Sequence, residues 1–243
     1  MRNKISITGD LGSGKSAVGR ILKEKLNIPT ISTGSIQREI ATRMGMSTLE
    51  LNHFTDTHPE IDDEIDAVFK NMNHDTGSYL LDSRLAWFFI PSSFKVYLQV
   101  DIRIAAQRVM SDTHRKGEKY TTLTDAINDL KARKDSENRR FLREYSADCA
   151  NKNNFDLIID TSHATLKAIS DKIMEAFAAY QAEQSLVRYY MSPQRLKLTE
   201  NSEGGDAVFV QQVGEDYIIQ AGKNIVESAI ENKTELIPVA AIF

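Results

Sequence analysis

Near its N-terminus the chain carries eight consecutive residues, Gly9-Asp10-Leu11-Gly12-Ser13-Gly14-Lys15-Ser16, that fit the pattern G-x-x-x-x-G-K-[ST] at every position. The apolar run Ile5 to Thr8 precedes them, and a helical pattern from Ala17 to Leu26 follows. A strand must therefore enter a glycine-rich turn and leave it as a helix. Such a turn wraps an anion with its backbone N–H groups, and the positive end of the helix adds to the attraction. The spacing predicts that the stretch from Gly9 to Ala17 cradles the phosphates of a nucleoside triphosphate. In that cradle Lys15 reaches the β- and γ-phosphates and the Ser16 hydroxyl ligates Mg²⁺.

The rest of the chain has to supply a sheet from which that loop can hang. Five apolar runs read as strands: Lys4–Thr8, Pro29–Ser32, Ser78–Asp82, Phe94–Val100 and Phe155–Asp160. Between them lie helical patterns over Ser16–Leu26, Gly34–Met44, Thr48–Phe54, Pro59–Asn71, Ile102–Met110, Leu123–Glu144 and Ala164–Ala182. Asp101 and Thr161 read as N-cap or pre-helix residues. Strands alternating with helices predict an α/β fold, with a parallel sheet covered on both faces. A chain of 243 residues has room for one such domain, residues 1–184, and an appendage.

The appendage, residues 193–243, follows a shift in composition at Met191-Ser192-Pro193. It reads as a small α+β module: a hairpin Ala207–Val213 / Tyr217–Gln220 turned at Gly214-Glu215-Asp216, a helix Asn224–Glu231 and a last strand Ile237–Phe243. So few residues bury little core, so the module is expected to pack on the rest of the chain or on another subunit. A homo-oligomer or a protein partner through this module stays open.

Charge and composition exclude several classes. Residues 193–243 hold four Lys/Arg against eight Asp/Glu, the whole of the net charge of −4, and the remainder balances at 26 against 26. Nucleic-acid binding by bulk charge is disfavoured. The segment from Arg115 to Arg143 has nine basic and five acidic residues, and it reads as a local phosphate-gripping element. No apolar run is long enough to span a bilayer, so no membrane role is indicated. The N-terminus leads straight into the first strand, and Cys149 is the single cysteine, which together predict a cytoplasmic protein without a disulfide framework. Cys149 has no histidine neighbour in sequence and reads as incidental, while His53, His58 and the other histidines lack metal-ligand spacing.

Further segments carry a resemblance. Ile31-Ser32-Thr33-Gly34-Ser35-Ile36-Gln37-Arg38 fits a strand followed by [SD]-[STA]-G-x-x-x-R, and the stretch from His58 to Asp66 fits N-P-E-[IL]-D-x-x-[IL]-D. Leu80-Leu81-Asp82-Ser83-Arg84-Leu85-Ala86-Trp87 fits a strand ending in [ED]-G-R-L-x-x-W. Arg133, Glu137 and Arg140 fit R-x-x-x-[DE]-x-x-R, and Tyr145 with Asp148 fits Y-x-x-D. Over residues 1 to about 180 the chain resembles the nucleoside monophosphate kinase branch of the P-loop fold, and within it the short-lid cytidylate kinases.

That resemblance implies a three-layer fold with a five-stranded sheet in the order 2-3-1-4-5, ATP as co-substrate, Mg²⁺, and phosphoryl transfer to CMP or dCMP. Thr33 and Gly34, at a strand end and a helix start, make an anion site to which Arg38 adds a bidentate charge for the acceptor's phosphate. Asp82 holds Mg²⁺ with Ser16, directly or through water, and Arg84 points into the same crevice. Arg108 packs on the donor adenine. On a lid helix Arg133, Glu137 and Arg140 share one face, so the two guanidiniums converge on the transferring phosphate while Glu137 orients them or meets the base. Lys15, Arg84, Arg133 and Arg140 thus form the catalytic set. A phosphate acceptor is already ionised and needs no general base, and the lid, Ser111 to Ala147, closes to exclude water.

Asp62 and Asp66 mark the family, but an acidic helix start is also good capping chemistry, so their role stays open. Ser83 stands where the family has glycine, and Leu85 where bacterial cytidylate kinases carry an Asp that contacts the sugar, which leaves ribose against deoxyribose undecided. Trp87 reads as a packing residue. The tail resembles a trimmed ParB/sulfiredoxin-like module, with Gly222-Lys223-Asn224 in place of Gly-His-Arg, and no chemistry is assigned to it. Two other readings remain: a P-loop kinase for another small metabolite, and a nucleotide-binding regulatory or adaptor protein with little turnover.

Overall fold

The computed structural model describes residues 3–55, 58, 60–112 and 120–242. Met1, Arg2, Pro59, Phe243 and the basic positions at 115, 116 and 119 lie outside them.

The five expected strands form one parallel array: β1 (Lys4–Gly9), β2 (Thr30–Ser32), β3 (Tyr79–Asp82), β4 (Phe94–Gln99) and β5 (Leu157–Asp160). Their order is 2-3-1-4-5, with β1 between β3 and β4. Alternation along each strand divides the core between two faces. Ile5, Ile7, Leu80, Val96, Leu98, Leu157 and Ile159 meet Val18 and Leu22 of α1 (Lys15–Leu26) and Ile169 and Ile173 of α8 (Leu166–Gln181). Leu81, Tyr97 and Ile158 face the other way, into a cluster built by α2 (Thr33–Arg43), α3 (Thr48–Thr55), α4 (Glu60–Met72) and the short α5 (Ala86–Phe89). Apolar on nearly every side, with Ala86, Trp87 and Phe89 buried, α5 has no amphipathic period by which to be read from sequence. The ring of Trp87 lies 5.2 Å from that of Phe155, a packing role as expected.

Helix starts follow local hydrogen-bonding chemistry. Ser32 and Ser35 form a reciprocal capping box on α2, and Asp101 caps α6 (Ile102–Ser111) by accepting from Arg103 and Ile104 N–H. Thr122 and Asp125 form another box on α7 (Leu123–Tyr145), which pairs with α6 through Ala105, Val109, Ala126 and Leu130. Thr161 does not cap α8: its hydroxyl donates to the Gln99 carbonyl at 3.0 Å, and Thr165 takes the cap position four residues later.

The sheet is wider than five strands. β6 (Tyr189–Met191) adds to β5 in parallel, and β10 (Ile237–Pro238) adds antiparallel to β6, giving seven strands in all. A second, four-stranded sheet holds β7 (Leu196–Lys197), β8 (Phe209–Val213), β9 (Asp216–Ala221) and β11 (Ala240–Ile242), in the order β11-β8-β9-β7. The single last strand expected over Ile237–Phe243 is therefore two, one in each sheet. Pro238 has no N–H with which to continue a ladder, and Val239 N–H donates to the Tyr189 carbonyl just before Ala240 N–H turns to Val208. With α9 (Lys223–Glu231) burying Val226 and Ala229, the tail packs on this chain's own core.

Candidate active site

The glycine-rich loop leaves the C-terminal end of β1 in the centre of the sheet, where ligands of α/β proteins bind. Gly9 has φ 146°, and a Cβ there would run into the Leu98 backbone; Gly14, at φ 85°, is the N-cap of α1 and carries no side chain. The leading N–H groups of α1 are thus left for a ligand. Ser13 pins the curve, donating from N and Oγ to the Asp10 carbonyl at 3.3 and 2.7 Å, and Ala17 N–H returns to Gly14 O at 3.0 Å. Lys15 Nζ folds back to the Gly9 carbonyl at 3.3 Å. Burial, with the Arg84 guanidinium nearby, pulls its pKa down to about 8.

Ser16 Oγ donates to Asp82 Oδ2 at 3.5 Å, so the hydroxyl of α1 and the carboxylate of β3 meet although 66 residues separate them. This donor pair fits Mg²⁺, which takes few protein oxygens and completes its shell with water and substrate phosphate. Among the described residues no cluster of three or more His, Cys, Asp or Glu forms an all-protein metal cage. Arg38 and Gly34 line an open cleft together with Ser16 and Asp82.

A second cavity, of about 180 Å³, opens beside it. Its walls are Thr33, Ser83, Arg84 and Leu85 from the strand ends, Asp62, Ile65, Asp66 and Phe69 from α4, and Glu137, Arg140, Phe141, Glu144 and Tyr145 from α7. Glu137 Oε2 lies 3.1 Å from Arg84 Nη2, so this carboxylate of α7 pairs with the strand-end arginine. Arg140 joins Arg84 in this cavity. Arg133 is not on its wall and lies 3.9 Å from Asp129, one turn back along α7. Ser83, the departure from glycine, places its Oγ 3.1 Å from Thr33 Oγ1 and accepts from Leu85 N–H at 3.4 Å, tying the two strand ends together. Burial pushes the Cys149 thiol up to about 11, which disfavours the thiolate.

Arg108 reaches across to the loop between β5 and α8. Its guanidinium donates to Thr161 O at 2.7 Å, Ser162 O at 3.2 Å and Gly12 O at 3.2 Å, bracing the phosphate loop. Leu11 packs against α6 and α7, and Asp10 anchors a buried polar knot that no motif announced. Asp10 accepts from the Tyr97 hydroxyl at 2.7 Å and from Val100 N–H at 3.1 Å, and Lys134 Nζ of α7 lies 2.8 Å away. Burial pushes this carboxyl up, but Lys134 and Lys152 outweigh it and hold it below the usual range. Lys134 sits three residues before Glu137, so helical phase could have placed it on the same face. Tyr97 had no local signal, because its place beside Asp10 follows from the pairing of β4 with β1.

Similarity to known proteins runs through this same stretch. Residues 4–163 match the cytidylate kinase-like family. A cytidylate kinase of Sulfurisphaera tokodaii is 33% identical over 184 residues, 75% of this chain and 98% of that one. One from Pyrobaculum aerophilum is 32% identical over 67% of this chain and 85% of its own length. An S-adenosylmethionine-dependent nucleotide dehydratase of Lacinutrix mariniflava is 33% identical over 178 residues, of which it is the longer partner: the match spans 36% of its length. Among solved structures, an uncharacterized protein of Eubacterium ventriosum superposes with a TM-score of 0.57 at 18% identity, over 73% of this chain, a likeness of fold. With the glycine-rich loop, the strand-end arginine and α7 all inside the matched stretch, the chain belongs to the cytidylate kinase-like family.

Proposed function

We propose that this protein transfers the γ-phosphoryl group of ATP to CMP or dCMP, giving ADP and the nucleoside diphosphate. What supports the reading most is that Lys15 of the glycine-rich loop, Asp82 and Arg84 of the cavity that Arg140 also lines lie close enough to act on one another, with Ser16 bonded to Asp82. Phosphoryl transfer needs little covalent help from protein. It needs two phosphates held in line and the charge spreading over the transferring oxygens neutralised.

The loop amides and Lys15 hold the donor's phosphates, and Arg84, kept in place by Glu137, meets the acceptor's phosphate. Arg38 approaches from the cleft beyond Asp82, and Thr33 and Gly34 offer the start of α2 to the same anion. Arg140 stands on the α7 side of the cavity, and Arg133 would have to turn away from Asp129 to join it when phosphate is present. Ser16 and Asp82 would hold Mg²⁺, which when bound neutralises phosphate charge. The braced Arg108 offers its guanidinium plane to the donor's base. Among the described residues no helix is long and apolar enough to cross a membrane.

The test is ADP formation from ATP and Mg²⁺ with CMP, dCMP, UMP, AMP, GMP and dTMP, with Lys15→Ala as the blank. Turnover strongest with CMP or dCMP, and at least about a hundredfold lower in the blank, is the expected result. ATP binding without turnover of any monophosphate overturns it.

A further inference from the structure

Where the tail meets the nucleotide-binding part, two compartments of one cavity share Asp10, Val100, Lys134 and Glu215 in their walls. None of Lys15, Ser16, Asp82, Arg84, Arg108 or Arg140 lines either, so this space is separate from the site described above. The larger compartment, of about 240 Å³, has an apolar side built from Leu11, Val100, Ile102, Ala105 and Leu130. The smaller, of about 100 Å³, is walled by polar side chains apart from Val100, and Arg195, Gln212, Glu215 and Tyr217 of the tail close it.

Charges in the smaller compartment are matched except at one atom. Asp10 holds Lys134 and accepts from the Tyr97 hydroxyl and Val100 N–H. Asp160 accepts from Gln99 Nε2 at 3.1 Å and from Ser162 N–H at 2.9 Å. Arg195 is spent on Asp101, Asp160 and the Glu215 carbonyl, at 3.1, 3.5 and 3.0 Å, and the Glu215 carboxylate on Lys131 at 3.2 Å. Lys152 Nζ lies 3.0 Å over the centre of the Tyr97 ring, and among the described residues no carboxylate or carbonyl pairs with it. Burial pulls its pKa down to about 7; Lys134 adds to the fall, and Asp10 and Cys149 oppose it. A desolvated ammonium without an acceptor costs free energy that an incoming anion returns.

We propose that this cavity is a second ligand site, taking a small organic anion whose one carboxylate or phosphate head meets Lys152 and Lys134 while its apolar ring lies along Leu11, Ile102 and Leu130. A cation finds every carboxylate there already bonded, and a purely apolar molecule leaves the Lys152 charge unanswered. One head is all that a single unpaired ammonium and a space of about 100 Å³ accommodate. The site is independent of the reaction the chain performs, and its tail residues lie beyond the stretch 4–163 shared with the family.

The test titrates the full chain, its glycine-rich loop filled with Mg²⁺ and a non-hydrolysable ATP analogue, with benzoate, phenyl phosphate and neutral benzamide. NMR of the lysine Cε–H groups and of the isoleucine and leucine methyls reads the outcome, the Lys152 signal being the one lost in Lys152→Met. With at least one of the two anions, the Lys152, Ile102 and Leu130 signals should move together to saturation, and the Lys152 pKa should rise by about one unit or more. Tighter binding of benzoate or of phenyl phosphate tells a carboxylate head from a phosphate. In Lys152→Met, whose methyl spectrum reports its folding, the Ile102 and Leu130 shifts should need at least about tenfold more of the anion. No movement with either anion up to about 10 mM overturns the proposal on the unaltered protein alone. Equal binding of benzamide overturns it as well, as does an unchanged titration in the folded variant.

Discussion

Lys15 shows how a residue's chemistry depends on its surroundings. Any lysine at the end of a glycine-rich turn can meet phosphate, but this one is desolvated beside Arg84 and held at about pKa 8 in the free protein. Below that pH it is an ammonium and attracts ATP; above it the charge is lost. The expected outcome is that kcat/KM for ATP falls about tenfold per pH unit above about pH 8, while kcat falls only at higher pH, since bound phosphate restores the proton. A pH profile of both constants checks it. An unchanged kcat/KM up to pH 10 would mean that Lys15 does not govern donor binding. At the same scale, Ser83 illustrates a departure from family pattern that is chemically used: its hydroxyl bridges Thr33 and the Leu85 N–H, contacts a glycine could not make.

Among the elements, α7 carries the most functional weight. Its foot packs on α6 and Leu11 through Ala126 and Leu130, while its middle presents Lys134 to Asp10 and Glu137 to Arg84. One helix therefore touches both the glycine-rich loop and the cavity lined by Arg84. Replacing Glu137 by Gln keeps the shape but removes the charge that orients Arg84. The expected effect is a fall in kcat of about ten- to a hundredfold, the cost of a misplaced positioning group, with the KM for ATP changed far less. Steady-state kinetics on both substrates separate the two, and a rise in KM for ATP alone would contradict the positioning role. The helix and its one-sided triplet were legible in sequence. That Glu137 and Arg140 turn to the cavity while Arg133 lies by Asp129 was not, because rotamers on a charged helix answer to partners on other elements.

For the whole molecule, the tail is joined to the nucleotide-binding part by side chains as well as strands. Arg195 lies 3.1 Å from Asp101 and 3.5 Å from Asp160, and Asp160 is only 1% exposed. Removing the arginine leaves a buried carboxylate short of its partner, so Arg195→Ala should destabilise the protein by about 3 kcal/mol, visible as a lowered thermal midpoint. A midpoint unchanged within a degree would show that this arginine does not hold the two parts together. Sequence by itself determined the phosphate loop, the order of strands and helices and the faces of the main helices, because each depends on residues a few positions apart: glycines that permit a turn, caps that start a helix, and periods of 2 and 3.6. Only the tertiary structure decided that the sheet grows to seven strands, that Ser16 meets Asp82 and that Glu137 chooses Arg84. Those outcomes join segments up to 66 residues apart. Which partner a side chain finds at that range is settled by the packing of the whole chain, for which no local pattern carries a mark.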